Sequence, residues 1–195
     1  MNDTNTKLGN PAVVGLAGFG LTTLTLQLAN LGWIGVAPVV WLGLIFGGGA
    51  QLVAGLMEFK CGNNFGFAAF TGYGAFWISL SLMLIFGTNT ALTKNFSALA
   101  LGPHDVGFFL VGWTIFTAIL LVGAMRRNTA LSIVFLTLLL GFIGLDLKEL
   151  AGMASAGTFA YWDLIVCAFS ALYLMAADVY ADMGPRLPIG GAWLK

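Results

Sequence analysis

Asn10-Pro11-Ala12-Val13-Val14-Gly15-Leu16-Ala17-Gly18-Phe19-Gly20, with Leu21-Thr22-Thr23 directly behind it, is the stretch on which the fold turns. Asn favours the N-cap and Pro the first helical position, so Asn10 and Pro11 specify a helix start. Gly15, Gly18 and Gly20 would each destabilise a water-soluble helix by about 1 kcal/mol. In a bilayer, small residues instead let a neighbouring backbone approach closely. An Asn-Pro-Ala turn that feeds a Gly-rich apolar helix predicts a pore or carrier rather than a simple anchor.

The surroundings of that stretch carry no charge. Asp, Glu, Lys and Arg are absent from Leu8 to Met57, from Cys61 to Thr93, from Val106 to Met125 and from Asn128 to Leu145. A helix that crosses a bilayer needs roughly 20 mainly apolar residues, so these runs are membrane segments. Composition agrees: 59% of the 195 residues are hydrophobic and 8% charged, against about 25% charged in soluble domains. Mean hydropathy is +0.93. The chain reads as an all-α, polytopic membrane protein forming a single six-helix transmembrane domain over residues 1–195. The first apolar segment is too long for a signal-peptide core. Net charge is zero, and no basic run points to nucleic acid. Cys61 and Cys167 have neither disulfide nor metal spacing and read as small apolar residues.

Six spans are expected, at about 11–30, 35–57, 65–86, 106–125, 129–147 and 157–178. Gly32, Gly35 and Pro38 mark the break between the first two, which the short uncharged connection makes antiparallel neighbours. The longest connection, Gly87–Asp105, reads as a partly ordered surface loop. With six spans, Lys7, Lys60, Arg126, Arg127, Arg186 and Lys195 fall on one side, and only Lys94 and Lys148 on the other. The positive-inside rule then places both termini in the cytoplasm.

Intramembrane polar groups are expensive and become functional candidates by default. They are Asn10, Thr22, Thr23, Gln27, Gln51, Thr71, Tyr73, Ser79, Ser81, Thr137, Asp163, Ser170 and Asp178, with Glu58 at the end of the second span. Glu58 either pairs with Lys60 at the interface or serves as proton acceptor or gate at a pore mouth. Asp163 sits about two turns inside its span, where outer water or a transport role both suit it. Gly43 and Gly47 form a small-x-x-x-small pair, and Gly47-Gly48-Gly49 permits either tight packing or an unwound pore-lining backbone. Tyr73 must find a hydroxyl partner if it is buried. Spans four and five are the most purely apolar, which predicts lipid or subunit contact.

No nucleophile, base and orienting residue are spaced for catalysis, and His104 beside Asp105 has no second metal ligand near it. The chain is therefore not expected to be an enzyme or to bind a cofactor. Few strong charges line the spans, so a fixed field for inorganic cations is missing. Helix N-terminal N–H groups after Asn10-Pro11, with hydroxyls and amides, could meet an anion. Phe19 and Tyr73 could narrow the path to small solutes. A small neutral molecule or a monocarboxylate remains open on this reading.

Asn10-Pro11-Ala12-Val13-Val14-Gly15-Leu16 resembles the N-P-A-P-x-G-L signature of the acetate uptake transporter family, the acetate–succinate permeases of the YaaH type. The resemblance extends through Gly18-Phe19-Gly20, Thr22-Thr23, Gln51, Ala54-Gly55-Leu56-Met57-Glu58-Phe59 and Gly62-Asn63-Asn64-Phe65-Gly66. It continues in Phe70-Thr71-Gly72-Tyr73-Gly74-Ala75-Phe76-Trp77 and Leu187-Pro188-Ile189-Gly190. It implies a six-helix homohexamer with one pathway per protomer, in the inner membrane of a prokaryote. It further implies movement of acetate, and in some members succinate or other short carboxylates, by proton-coupled symport or through a channel. An aromatic–aliphatic constriction would fall on Phe19, Tyr73 and Leu138, and a selectivity position on Ala171. Asn10, Gln51 and Glu58 match polar positions in or near the path. Thr22 and Thr71 complete the candidate substrate or proton contacts.

Two departures bear on substrate preference. Val13 replaces the second proline of the signature, and Gly72 replaces a Ser or Thr, removing a hydroxyl from an expected substrate-facing position. Asp163 also stands where an uncharged residue is expected. The competing readings are an aquaporin-like channel, a urea or amide channel, and a non-transporting scaffold. An aquaporin needs two facing Asn-Pro-Ala motifs, and this chain has one.

Overall fold

The computed structural model describes residues 9–195, so Lys7, counted above for orientation, lies outside the described residues. Among the described residues every regular element is helical. Six helices are long and apolar enough to cross a membrane: α1 (Ala12–Asn30), α2 (Ala37–Lys60), α3 (Asn64–Gly87), α4 (Asp105–Met125), α5 (Thr129–Ala151) and α6 (Ala154–Ala181). The expected spans meet these within a few residues. The main difference is at the α5–α6 turn, where both helices run beyond the apolar window. There α5 continues through Lys148 and Glu149 and stops only at Gly152, whose φ of +68° closes the last turn. The long connection holds a short helix, Thr90–Asn95, and a 3₁₀ turn, Ser97–Leu99.

The helices form a ring in which α1 packs on α6 and α2, α6 on α5, α5 on α4, and α2 on α3. The α3–α4 seam closes the ring through side chains more than through backbone approach. Its filling is aromatic: Tyr73 and Phe76 of α3 meet Phe109, Trp113 and Phe116 of α4, with ring centroids 5.2–6.1 Å apart. Gly72 belongs to this seam, because a Cβ there would stand 2.7 Å from the Phe116 ring. The residue expected to face substrate is instead the floor under Phe116, which corrects the sequence expectation.

The opposite side is built on small residues. A Cβ on Gly18 would stand 2.7 Å from the Phe46 carbonyl oxygen, so α1 and α2 touch backbone to backbone. Gly43 faces Ser81 of α3, while Gly47 faces Thr22 of α1. The glycine run is therefore packed helix and not an unwound segment. Its backbone makes a π-helical turn, Ile45–Ala50, inside the long helix.

That wide turn changes which residues face inward. A helix of 3.6 residues per turn read from buried Val39 would bring Ala50, Val53 and Met57 to the inner face. The extra residue held in the π turn advances the phase by one position. Gln51, Ala54, Gly55 and Glu58 are buried instead, whereas Val53 and Met57 are 54% and 52% exposed.

Exposed apolar side chains cover the outside, including Ile115, Ile119 and Val122 on α4 and Phe159, Val166 and Phe169 on α6. Such a surface suits lipid or another apolar face. α4 is the least buried span, as expected. α5 is as buried as α1, contrary to expectation, because Ser132, Gly141 and Gly144 turn a tight face inward.

Candidate functional site

A cavity of about 240 Å³ opens at the end of the bundle where α1 begins and α6 ends. Its lining changes character with depth. Asn10, Glu58, Asn63, Arg127, Asn128 and Asp178 give it a polar mouth; Phe19, Tyr73, Phe135 and Leu138 give it an apolar inner end.

The mouth is organised by side chains that also start helices. Asn63 caps α3 by accepting from Gly66 N–H at 3.3 Å, accepts from Arg127 Nη2 at 2.6 Å, and donates through Nδ2 to Glu58 Oε2 at 2.7 Å. The Arg127 guanidinium also lies 5.0 Å from the Phe65 ring centroid, within cation–π range. Asn10 accepts the Ala12 N–H at 3.0 Å and lines the mouth together with Asp178. The helix is assigned from Ala12, so Asn10 and Pro11 both precede it, one place off the sequence reading. Glu58 is buried against Asn63 and is not joined to Lys60 among the described residues. The interface-pair reading of Glu58 therefore falls, and its carboxylate belongs to the cavity mouth.

Farther in, Gln51 is fully buried, and neither its Oε1 nor its Nε2 has a partner among the described residues. A buried amide without partners loses about 1–3 kcal/mol for each unsatisfied group. Gln51 lines the cavity, so a solute or water arriving there finds a donor and an acceptor unspent.

The inner end is a cluster of rings around Tyr73. Phe19 lies 5.6 Å away, Phe116 5.5 Å and Phe135 6.2 Å, centroid to centroid. Tyr73 finds its required partner in Thr117, whose Oγ1 is 2.8 Å from the phenolic oxygen. Leu138 is buried beside these rings on the cavity wall.

Of the residues singled out from sequence, Asn10, Phe19, Gln51, Glu58, Tyr73 and Leu138 line this one cavity. Thr22, Thr71 and Ala171 do not. Thr22 is buried against Gly47 with its Oγ1 unpartnered. Thr71 donates to the Phe67 carbonyl of its own helix and packs its methyl against Gly55. Ala171 is fully buried in the α6 packing face. These three sit between helices. Asp178, a polar candidate from sequence, lines the cavity too, whereas Arg127, Asn63 and Ile189 were missed as site residues. Asn63 and Ile189 stood only inside quoted motifs, and Arg127 only in the charge count.

Residues 1–184 match the model of the GPR1/FUN34/yaaH family. The chain belongs to that family. It is 39% identical over 189 residues to the succinate-acetate/proton symporter SatP of Escherichia coli strain K12, covering 95% of this chain and 97% of that one. Acetate permease A of Emericella nidulans is 40% identical over 143 residues, which is 70% of this chain and 48% of the permease. The solved structure of the bacterial acetate channel SatP superposes with a TM-score of 0.87 at 38% identity, covering 94% of this chain and 100% of that one. Family membership therefore accounts for the six helices and for the motif blocks that run the length of the chain.

Proposed function

We propose that this chain carries acetate and other short carboxylates, succinate among them, across a membrane together with protons. It acts as a transporter and not as an enzyme. The reading rests on one observation above the rest: a fully buried, unpartnered Gln51 amide in a cavity that runs from a polar mouth to an aromatic narrowing. Similarity to a succinate-acetate/proton symporter over nearly the whole chain supports the same substrate class.

In this reading a carboxylate meets the Arg127 guanidinium and the Asn128 amide at the mouth. It exchanges part of its water for the Gln51 amide, then passes the narrowing of Phe19, Tyr73 and Leu138. Charge-assisted hydrogen bonds to a buried amide are stronger than neutral ones, which compensates dehydration. Glu58 takes up and releases the accompanying proton at the mouth, which Asp178 also lines. Residues 1–195 act as a single domain, both termini face the cytoplasm, and the protomers assemble as a homohexamer in a prokaryotic inner membrane. The Lys and Arg count supports that orientation.

Uptake of labelled acetate into proteoliposomes tests the function, with water and urea permeation measured in parallel. Acetate flux well above empty liposomes is expected, and accumulation against the acetate gradient under an inward proton gradient shows coupling. Rapid urea or water flux with no acetate flux would replace this reading with a neutral-solute channel.

A further inference from the structure

Residues 183–195, after the last span, are not a loose end. Their backbone is stitched to the mouth of the bundle. The Ala130 N–H, an orphan donor in the first turn of α5, donates to Ile189 O at 2.9 Å. Tyr173 Oη donates to Pro188 O at 2.7 Å, and Thr129 Oγ1 to Gly191 O at 2.9 Å. Trp193 Nε1 donates to Thr129 Oγ1 at 3.1 Å, and the Trp193 and Leu194 N–H groups cap the Met125 carbonyl at the end of α4. The chain turns at Gly190 with φ +70°, where a Cβ would stand 2.6 Å from Thr129. The turn aims Ile189 back toward the bundle.

Ile189 lines the cavity described above, beside Arg127, Asn128, Leu131 and Asp178. It also lines a second hollow, an apolar groove on the outer face of α5 and α6 built from Ile133, Ile165, Val166 and Phe169. It is the residue the two linings share. We infer that Ile189 is the partition between the carboxylate pathway and this lateral groove, and that its bulk limits how long an apolar tail a transported carboxylate can carry. The inference rests on the carboxylate reading of the cavity and adds to it a specificity residue supplied by the C-terminal segment.

The physical argument separates two kinds of larger substrate. A long monocarboxylate keeps its head at the mouth and needs apolar space for its tail, and the groove behind Ile189 is such space. A dicarboxylate has a second charged end, which gains nothing from an apolar groove. Shortening Ile189 therefore favours butyrate and hexanoate over acetate without favouring succinate. One or two methylenes in an apolar pocket are worth about tenfold or more in discrimination.

The test is uptake of labelled acetate, butyrate, hexanoate and succinate into proteoliposomes by the full chain, Ile189→Ala and Ile189→Trp. Ile189→Ala is expected to raise the hexanoate-to-acetate ratio by about tenfold and leave the succinate-to-acetate ratio unchanged. Ile189→Trp is expected to lower the butyrate ratio. Unchanged ratios in both variants with normal acetate uptake would overturn the inference, as would an equal rise for succinate, which signals general loosening. Should Ile189→Ala fail to fold, Ile189→Cys in a Cys61→Ser background gives a second reading, since Cys61 is exposed and Cys167 buried. Acetate uptake that falls as the attached maleimide grows supports the partition; complete labelling with unchanged uptake refutes it. Absence of acetate uptake by the unaltered chain is a separate result and would count against the carboxylate reading itself.

Discussion

The polar mouth and the Gln51 level of the same cavity use the same chemistry in opposite ways. At the mouth, Asn63 spends its side chain on Gly66, Arg127 and Glu58, and Asn10 spends its own on Ala12. Those amides hold helix ends and charges in place. Gln51, one level deeper, spends nothing among the described residues. Paired polar groups give the site its shape, and the unpaired one gives it something to offer a solute. The distinction follows from burial: an unmet amide in the mouth would turn to water, while one at Gln51 has only what enters the cavity.

Gln51→Leu cuts deepest into this contrast. Losing a hydrogen bond to a charged group is worth about 1.5–3 kcal/mol, so acetate uptake should fall by roughly ten- to a hundredfold. Removing two unsatisfied atoms should leave thermal unfolding in detergent unchanged or shifted upward. Retained uptake with unchanged folding would remove Gln51 from the path. Glu58→Gln comes next. Its amide oxygen can still accept from Asn63 Nδ2, so folding should persist while proton-driven accumulation drops several-fold. A pH profile identical to that of the unaltered protein would make Glu58 a fixed charge and nothing more.

Leu138→Ala probes the apolar end, where no polar group sets the limit. The propionate-to-acetate uptake ratio should rise by about tenfold. Ala171→Gly should change it less, since Ala171 is packed between helices and off the cavity wall. A larger effect at Ala171 would relocate the narrowing toward α6. The smallest effect on transport is expected from Thr117→Val, which strips the Tyr73 hydroxyl of its partner and should destabilise the fold by about 1–3 kcal/mol. Thermal unfolding measures that loss, and a stability equal to the unaltered protein would mean that Tyr73 finds another acceptor.

Particular residues show how far the sequence could be read. The helix start at Asn10-Pro11 and the helices themselves follow from local capping and charge-free length. Tyr73 had to have a partner, although Thr117, 44 positions away, could not be named from spacing. Thr22 and Thr71 were indistinguishable from Gln51 as intramembrane polar residues. Packing against Gly47 and Gly55 took the two threonines out of the lining. Arg127 read as one of six positive charges on one side, because a charge count carries no information about which cation overhangs a cavity. Ile189 carried no polar signal at all.

Asn10-Pro11 and the charge-free runs by themselves determined a six-helix membrane protein, because bilayer thickness and the cost of unsatisfied backbone leave few other solutions. Motif resemblance determined the family. Only the tertiary structure decided which face of α2 looks into the cavity. At the π turn Ile45–Ala50, Gly47 lies against Thr22 of α1 and Gly48 against Ile78 of α3. The single added residue moves Gln51 and Glu58 to the inner face and Val53 and Met57 to the outer one. A phase set by contacts between helices has no trace in the periodicity of one helix.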